Sequence, residues 1–401
     1  MDILVSHQTA LSLLRSQIDL GGYRRSRRRR LAPSKPVNVE EARAVLDHID
    51  EVSCGSLATG AERDPSLDLL ADEWPSCARS PLSVLVSDPD ARRRNLDVDA
   101  TLWRRPLPAG CVLEPLGQGS RDSAESEPRP SLGITSPELL FVQMGRGMDV
   151  LGLIKLGYEL CGSYSLGPDG DSFFGRPPLT TVARIKRVVD ACKGAYGIVS
   201  ARQAIAYVLE GSASPLETAL GMLLFTPRNL GGYGLPKARL NVRLKVDAAT
   251  RKMTDKRFAV PDILWPDQRE VVECESTAWH TGADRIAEDS HRRTVLSHMG
   301  YHVTTITTRE IFNPRLLDAS VRALALRLGY RMRWDAYSSC GNGRLREVLF
   351  GTGQVIDDPL EYPPVEVESY LPDDEPSVWE YRDYLEDMAE DVTGCRYGYV
   401  G

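Results

Sequence analysis

The sequence lacks long apolar runs, closely spaced cysteines and a basic majority. No apolar run approaches the roughly 20 residues that a membrane-spanning helix needs, so we expect no membrane span. The first residues carry no basic segment ahead of a long apolar core, so we expect no secretory signal. The eight cysteines are widely spaced and include no Cys-x-x-Cys pair. That pattern disfavours a zinc ribbon and a disulfide scaffold, and it fits a protein of the reducing cytoplasm.

Charge is unevenly distributed along the chain. The formal net charge of −7 disfavours, by itself, a nucleic-acid partner. Between Asp357 and Asp391, however, fourteen acidic residues and one basic residue give −13, so the remaining residues carry +6. Six of the seven residues in Arg24–Arg30 are arginines, which is equally typical of a solvated linker and of a phosphate-binding arm. The sequence therefore predicts a basic body and an acidic tail, disordered or loosely attached, that could dock on a protein partner or on the chain's own arginines.

Changes in composition divide the chain into four predicted regions. Residues 1–131 form a poorly defined region, with a helix over Leu4–Gln17, the arginine-rich run, and a Ser-, Pro-, Asp- and Gly-rich stretch that ends in a linker. Residues 132–211 are expected to form a helical domain. Residues 212–332 are expected to form an α/β or α+β domain, and residues 333–401 the acidic tail.

The third region contains a regular order of elements. A helix begins after Ser214, whose spacing to Glu217 matches a Ser-x-x-Glu capping box. A strand, a β-hairpin, a polar helix and a last strand are expected to follow. The predicted bounds are Pro215–Phe225 for the first helix, Leu240–Val246, Phe258–Trp265 and Glu270–Ser276 for the first three strands, Ala283–Met299 for the polar helix and Tyr301–Thr307 for the last strand.

The predicted hairpin places two carboxylates opposite each other. A four-residue turn over Pro266–Arg269 sets Asp262 across from Glu273, with Glu275 on the same face. Facing side chains on such a ladder lie about 4.5–5.5 Å apart at Cβ, where like charges repel unless a cation compensates. Oxygen ligands suit Mg²⁺ or Mn²⁺, and such an ion could activate a water for phosphate hydrolysis. From hairpin geometry alone, carboxylates on a solvated face are the simpler interpretation.

Two further side chains fit a site at this hairpin. Glu217, on the preceding helix, could supply a third carboxylate. His280, which comes just after the second hairpin strand, could act as a general acid or base, or could hold a water on the metal.

Residues 214–328 resemble the PD-(D/E)xK nuclease superfamily, and within it the very-short-patch-repair-like endonucleases. The resemblance rests on Pro261-Asp262, on Glu273-x-Glu275 after a hairpin, and on His280. It continues in the pattern D-x-x-R-x-x-x-L-x-x-x-G-x-x-V, which runs from Asp289 to Val303. The resemblance covers little more than a quarter of the chain. It implies a restriction-endonuclease-like α/β core that hydrolyses DNA with Mg²⁺ or Mn²⁺.

The resemblance also implies roles for the acidic residues. Asp262 and Glu273 would be metal ligands, helped by the backbone carbonyl of Cys274. Glu217 would be the acidic residue of the first helix. His280 would lie near the attacking water.

Cations near this site are candidates for contact with DNA. By resemblance, Asp289 and Arg292 would shape the site or contact phosphate, whereas on spacing alone they form an i,i+3 ion pair on a helix surface. The candidate nucleic-acid contacts in and beyond this domain are Arg243, Lys245, Arg292, Arg293, Arg27 and Arg28.

One position departs from the superfamily's pattern. Glu275 stands where a lysine usually orients the water and stabilises the transition state, although the branch named above often has Asp there. Glu275 cannot supply positive charge. Either a neighbouring cation such as Lys245, Arg243 or Arg292 compensates, or the domain binds DNA without cutting it.

A shorter segment, Val5–Ala10, resembles the regulatory part of abortive-infection-type antitoxin proteins. Three hypotheses follow from the sequence. The first is a metal-dependent DNA endonuclease, in defence or mobile-element biology. The second is a catalytically inactive nuclease-fold protein that binds DNA as a transcriptional regulator or antitoxin. The third is a protein-interaction module that uses the acidic tail.

Overall fold

The computed structural model describes residues 3–15, 23–27, 36–38, 40, 81–115, 132–167, 172–275, 283–332 and 336–351. The chain divides into two units, Met1–Val355 and Ile356–Gly401, and every described residue belongs to the first. Several predictions fall outside the described residues, namely the linker, the acidic stretch Asp357–Asp391, Arg28 and His280. The tail predicted over residues 333–401 starts too early, because Ala336–Phe350 is a helix.

Six strands from the first 135 residues form one mixed sheet. They are β1 (Ile3–Val5), β2 (Tyr23–Arg25), β3 (Leu82–Val86), β4 (Val98–Leu102), β5 (Val112–Pro115) and β6 (Leu132–Thr135). Their order across the sheet is β2-β5-β6-β1-β3-β4. The first strand therefore lies in the interior of the sheet, with β6 as a parallel neighbour and β3 as an antiparallel one.

This sheet corrects the prediction of a helical N-terminal region. The helix predicted over Leu4–Gln17 is shorter, because Ile3–Val5 is a strand and helix α1 covers only His7–Arg15. The sequence pattern missed the sheet because its strands are short and their partners lie far apart in the chain. Leu82–Val86 is buried along its whole length, so it shows no alternation of apolar and polar residues.

Five helices follow α1 and surround a buried apolar core. They are α2 (Pro137–Met144), α3 (Val150–Leu160), α4 (Val182–Ala191), α5 (Ile198–Ala204) and α6 (Pro215–Phe225), with a small hairpin of β7 (Tyr164–Leu166) and β8 (Ser172–Phe174) after α3. The bounds of α6 are those predicted. The predicted N-cap Ser214 accepts a hydrogen bond from a backbone N–H in the first turn of α6, and Ser136 does the same for α2. Arg15 and Glu159 form a buried bidentate ion pair that joins α1 to α3.

The region after α6 confirms the predicted order of helix, strand, hairpin, helix and strand. A four-stranded sheet has the order β14-β13-β12-β9, in which β13 and β14 are parallel and the other neighbours are antiparallel. Its elements and those around it are β9 (Arg239–Leu240), β10 (Leu244–Lys245), β11 (Phe258–Ala259), β12 (Ile263–Trp265), β13 (Glu270–Glu275), α7 (Ala283–His298), β14 (His302–Thr307), α8 (Thr308–Phe312), α9 (Pro314–Arg327) and α10 (Ala336–Phe350). The mixed α/β class is therefore correct.

Two predicted strands are each split in two. The segment predicted as Leu240–Val246 breaks at Asn241, whose φ of 49° lies in the left-handed region. The segment predicted as Phe258–Trp265 divides before Ile263. As a result β10 and β11 leave the main sheet and pair with each other as a separate two-stranded ribbon.

Both faces of the four-stranded sheet are covered. Ile263 and Val272 pack on one face into the core that contains α6. Leu264 and Val271 pack on the other face against Leu296 of α7 and against the β10–β11 ribbon. This arrangement corrects the expectation of one wet face on the hairpin, and it places Glu273 and Glu275 of β13 beneath α7 rather than in open solvent.

In the part of the chain that the structure describes, no helix is long and apolar enough to cross a membrane. The four cysteines whose side chains are described, Cys111, Cys161, Cys192 and Cys274, are all free.

Candidate active site

The predicted carboxylates meet where the hairpin of β12 and β13 opens towards α6. The ladder pairs Leu264 with Val271 and Ile263 with Val272, which is the predicted register. Asp262 directly precedes β12, and its side-chain Oδ2 accepts a hydrogen bond of 2.7 Å from the backbone N–H of Cys274. Asp262 therefore lies beside the strand segment that contains Glu273, as the turn length predicts.

Glu217 faces this hairpin end from the first turn of α6. Its backbone N–H donates to the Ser214 side chain, and its own Oε2 accepts from the backbone N–H of Ala213 at 2.8 Å. The capping box is therefore shifted by one residue from the expected pattern, in which the Glu side chain would bond the N-cap N–H. Burial, followed by the negative charge of Asp262, raises the pKa of Glu217 to about 8.

Asn241 connects Glu217 to Asp262 and was missed by sequence reasoning. Its Nδ2 donates to Glu217 Oε2 at 2.6 Å, and its backbone N–H donates to the carbonyl of Asp262 at 3.0 Å. Asn tolerates left-handed backbone better than most residues, and this conformation turns the chain out of β9. An asparagine that interrupts a strand-like run is the signal that could have pointed to it.

The pKa of the Cys274 thiol is affected by three carboxylates of the candidate site. Its pKa is raised well above the usual value, first by burial and then by the negative charges of Asp262, Glu217 and Glu273. Three of the predicted site residues therefore act on the same buried sulfur. Hydrogen bonds link Glu217 to Asp262 through Asn241, and Asp262 to the backbone of Cys274, the residue after Glu273. His280 lies outside the described residues.

Two consecutive arginines of α7 reach down to the carboxylates of β13. Glu273 is only 4 % exposed, and its Oε2 lies 2.9 Å from Nη2 of Arg292. Arg293 donates to Glu275 Oε1 at 3.3 Å, and also contacts the hydroxyl of Thr305 at 3.5 Å. Arg292 therefore pairs with a carboxylate of the neighbouring strand. The side chain of Asp289, the i,i+3 partner expected from spacing, lies outside the described residues.

The remaining predicted cations lie apart from these pairs. Arg243 stacks over the ring of Phe258 with 4.3 Å between the guanidinium carbon and the ring centroid, and Lys245 is exposed on the same ribbon. In the arginine-rich run, Arg25 forms a bidentate ion pair with the buried Glu138 and therefore holds the edge strand β2 in place. Arg27 is exposed just after that strand.

Among the side chains described, no group of three or more His, Cys, Asp or Glu residues is arranged to hold a metal ion. Comparison of the chain with protein-family models, with curated proteins and with solved structures finds no match.

Proposed function

We propose that this protein is a metal-dependent endonuclease-like hydrolase of DNA phosphodiester bonds, with Asp262 and Glu273 at its centre. The observation that carries the proposal is the hydrogen-bonded link from Glu217 through Asn241 to Asp262, whose carboxylate accepts from the backbone of Cys274, the residue after Glu273. Clustered carboxylates are costly to bury, and they are found where they bind cations or perform acid–base chemistry.

The order of the surrounding elements supports the same proposal. The helix α6, the strands β9, β12 and β13, the helix α7 and the strand β14 follow one another as the resemblance to PD-(D/E)xK nucleases implies. Asp262 stands at the start of one hairpin strand and Glu273 near the end of the other. Both therefore lie at the same end of the two central strands of the sheet.

The chemistry of the donors suits Mg²⁺ or Mn²⁺, because every candidate ligand atom is an oxygen. Asp262, Glu273 and the carbonyl of Cys274 would hold such an ion, which would polarise a phosphate and acidify a bound water. Arg292 would have to exchange its contact with Glu273 for one with the substrate. With 39 % of its side chain exposed, Arg292 can reach a phosphate from that position.

The two arginines also offset the loss of positive charge at Glu275, which stands where the superfamily usually has a lysine. Arg293 neutralises Glu275, so this carboxylate does not present an uncompensated negative charge to DNA. Arg292 pairs with Glu273 and would supply the positive charge that Glu275 lacks. Glu217, with its raised pKa, holds a proton over part of the neutral range and limits the negative charge at the site.

The test is cleavage of plasmid and linear DNA by the full chain in Mg²⁺ and in Mn²⁺. We expect Asp262→Asn and Glu273→Gln to lower the rate by at least about 100-fold. The matched control is Asp267→Asn, which removes an exposed carboxylate from the turn of the same hairpin and should leave the rate unchanged. An unmodified protein that cuts no DNA across several metals and substrates would contradict the proposal, as would an Asp262→Asn variant that cuts normally.

A second candidate function is metal-independent DNA binding by the same fold, as a regulator or antitoxin. The ion pairs of Arg292 with Glu273 and of Arg293 with Glu275 favour it, because they neutralise both strand carboxylates without any metal. In that case DNA affinity depends on salt and survives Asp262→Ala. Mn²⁺ would also leave the melting temperature of the unmodified protein unchanged, whereas a ligand of the folded state raises it.

A further inference from the structure

A second basic surface lies outside the candidate active site, on α4, α5 and the turn between them. The α4–α5 surface is defined by the exposed side chains of Arg184, Lys186, Arg187, Lys193, Tyr196, Val199, Arg202 and Gln203. The opposite side of α4 is buried through Ile185 and Val189, so these helices have one packed face and one solvent face. Across both helices and the turn between them, residues 182–204, Asp190 is the single acidic residue against five basic ones.

Basic residues from other segments add to this surface. Arg105 donates to the carbonyl of Lys193 in the turn. The guanidinium of Arg146 lies 5.8 Å from the ring centroid of Tyr196. Lys237 donates to the carbonyl of Ala206, just after α5, and its pKa is lowered by burial and by the nearby charge of Lys186. Positive charge from four parts of the chain therefore gathers on one face, which is the distribution that attracts a polyanion.

Two exposed apolar side chains lie among the basic residues of the α4–α5 surface. Tyr196 is 79 % exposed and Val199 is 65 % exposed, and among the described large apolar side chains only Leu96 and Leu326 are more exposed than these two. A basic face that serves only for solubility needs no exposed aromatic residue at its centre. An aromatic and an apolar side chain among arginines, by contrast, suit a partner that offers both phosphates and apolar groups.

The turn that presents these side chains is held rigidly. Gly197 has a φ of 83°, and a Cβ on it would lie 2.4 Å from the carbonyl oxygen of Val142 in α2. A Cβ on Gly145 would likewise lie 2.4 Å from the carbonyl oxygen of Gly197. The two glycines let the backbones of α2 and the turn touch, so α5 is fixed in its position before any partner binds.

We propose that the α4–α5 surface docks duplex DNA, with the basic residues of α4 on the phosphate backbone and the exposed face of α5 towards a groove. The major groove of B-form DNA admits a helix, and Arg, Gln and Val can contact base edges and thymine methyl groups there. The deep, narrow groove of A-form RNA does not admit one. This proposal goes beyond the hydrolytic function and stands whether or not the candidate active site cuts.

The test is fluorescence anisotropy of a labelled DNA duplex with the full chain, in EDTA so that no cleavage occurs. We expect the double variant Lys186→Glu/Arg202→Glu to bind about 10-fold more weakly or worse, with a salt dependence shallower by roughly one to two released ions. The matched control is Arg251→Glu/Lys252→Glu, which makes the same charge change at two exposed residues of a surface turn and should bind within a few-fold of the unmodified protein.

Two further measurements distinguish the outcomes. Tyr196→Ala removes no charge, and we expect it to weaken binding while the melting temperature stays unchanged. Unlabelled double-stranded RNA should compete less well than unlabelled duplex DNA, because the deep, narrow groove of A-form RNA does not admit a helix. Equal losses in the two double variants, no loss in either, or equal competition by double-stranded RNA would overturn the proposal.

Discussion

At the scale of single residues, Glu217 is the most informative side chain of the candidate site. Its Oε2 receives N–H donors from Ala213 and Asn241, yet burial and the charge of Asp262 raise its pKa to about 8. In the unfolded chain a glutamate titrates near 4.3. Between these two values the folded protein binds more protons than the unfolded chain, so the free energy of unfolding falls as the pH rises.

Glu217→Gln should remove this part of the pH dependence. The amide keeps an oxygen for both N–H donors but carries no titrating proton. We expect the unmodified protein to lose up to about 1.4 kcal/mol per pH unit from this group between pH 5 and pH 8, and the variant to show a flatter curve. Urea unfolding at each pH measures the difference, with Asp267→Asn as the control. Superimposable curves for the unmodified protein and Glu217→Gln would refute the prediction.

Sequence reasoning could place Asp262 beside Glu273, because the length of a hairpin turn determines which residues face each other. It could not predict the pairing of Arg292 with Glu273, because that contact depends on how α7 packs over the sheet. It also could not predict the bridging role of Asn241, which requires a left-handed residue at the end of a strand. The sequence pattern could predict the local geometry of the hairpin, but it could not predict contacts between elements that lie far apart in the chain.

At the scale of elements, the contact between α2 and the turn before α5 fixes the orientation of the α4–α5 surface. Gly197→Ala should both strain the backbone and push the turn away from Val142. Left-handed backbone costs a residue with a Cβ about 1–2 kcal/mol, and the clash adds to that cost. We expect a loss of more than about 2 kcal/mol in the free energy of unfolding, together with weaker DNA binding.

The matched control for this prediction is Gly175→Ala. Gly175 has a nearly equal φ of 78°, but a Cβ there would meet no atom within 4 Å. Its substitution therefore reports the backbone strain alone. Similar losses of stability in Gly175→Ala and Gly197→Ala would show that the approach of α2 to the turn contributes nothing.

Elements with local signals were predictable from the sequence. The helix Pro215–Phe225 begins where Ser214 and Pro215 require, and the first turn of α2 follows Ser136 in the same way. The six-stranded sheet was not predictable, because none of its strands carries a hairpin turn or an alternating pattern that identifies its partner. Which strands pair in this sheet depends on the burial of apolar side chains from distant parts of the N-terminal half of the chain.

At the scale of the whole molecule, the acidic tail offsets a basic body. Residues Ile356–Gly401 contain fourteen acidic and two basic residues, so their removal changes the formal net charge from −7 to +5. We expect this deletion to strengthen DNA binding most at low salt, because long-range repulsion is then least screened. Anisotropy at low and high salt measures the effect. A tail of equal length with its carboxylates replaced by amides is the control for chain length, and unchanged affinity after deletion would exclude an inhibitory role.

The interior position of β1 has a consequence for how the protein is made. Val84 and Ile134, the partners of Val5, are translated much later than Val5 itself. At roughly 5–20 residues per second, synthesis needs on the order of 10 s to deliver the last of them. During that interval the apolar segment of β1 has no strand partner for the backbone groups on either of its edges. A translational pause before residue 132 would prolong this exposure, and with it the demand for chaperones.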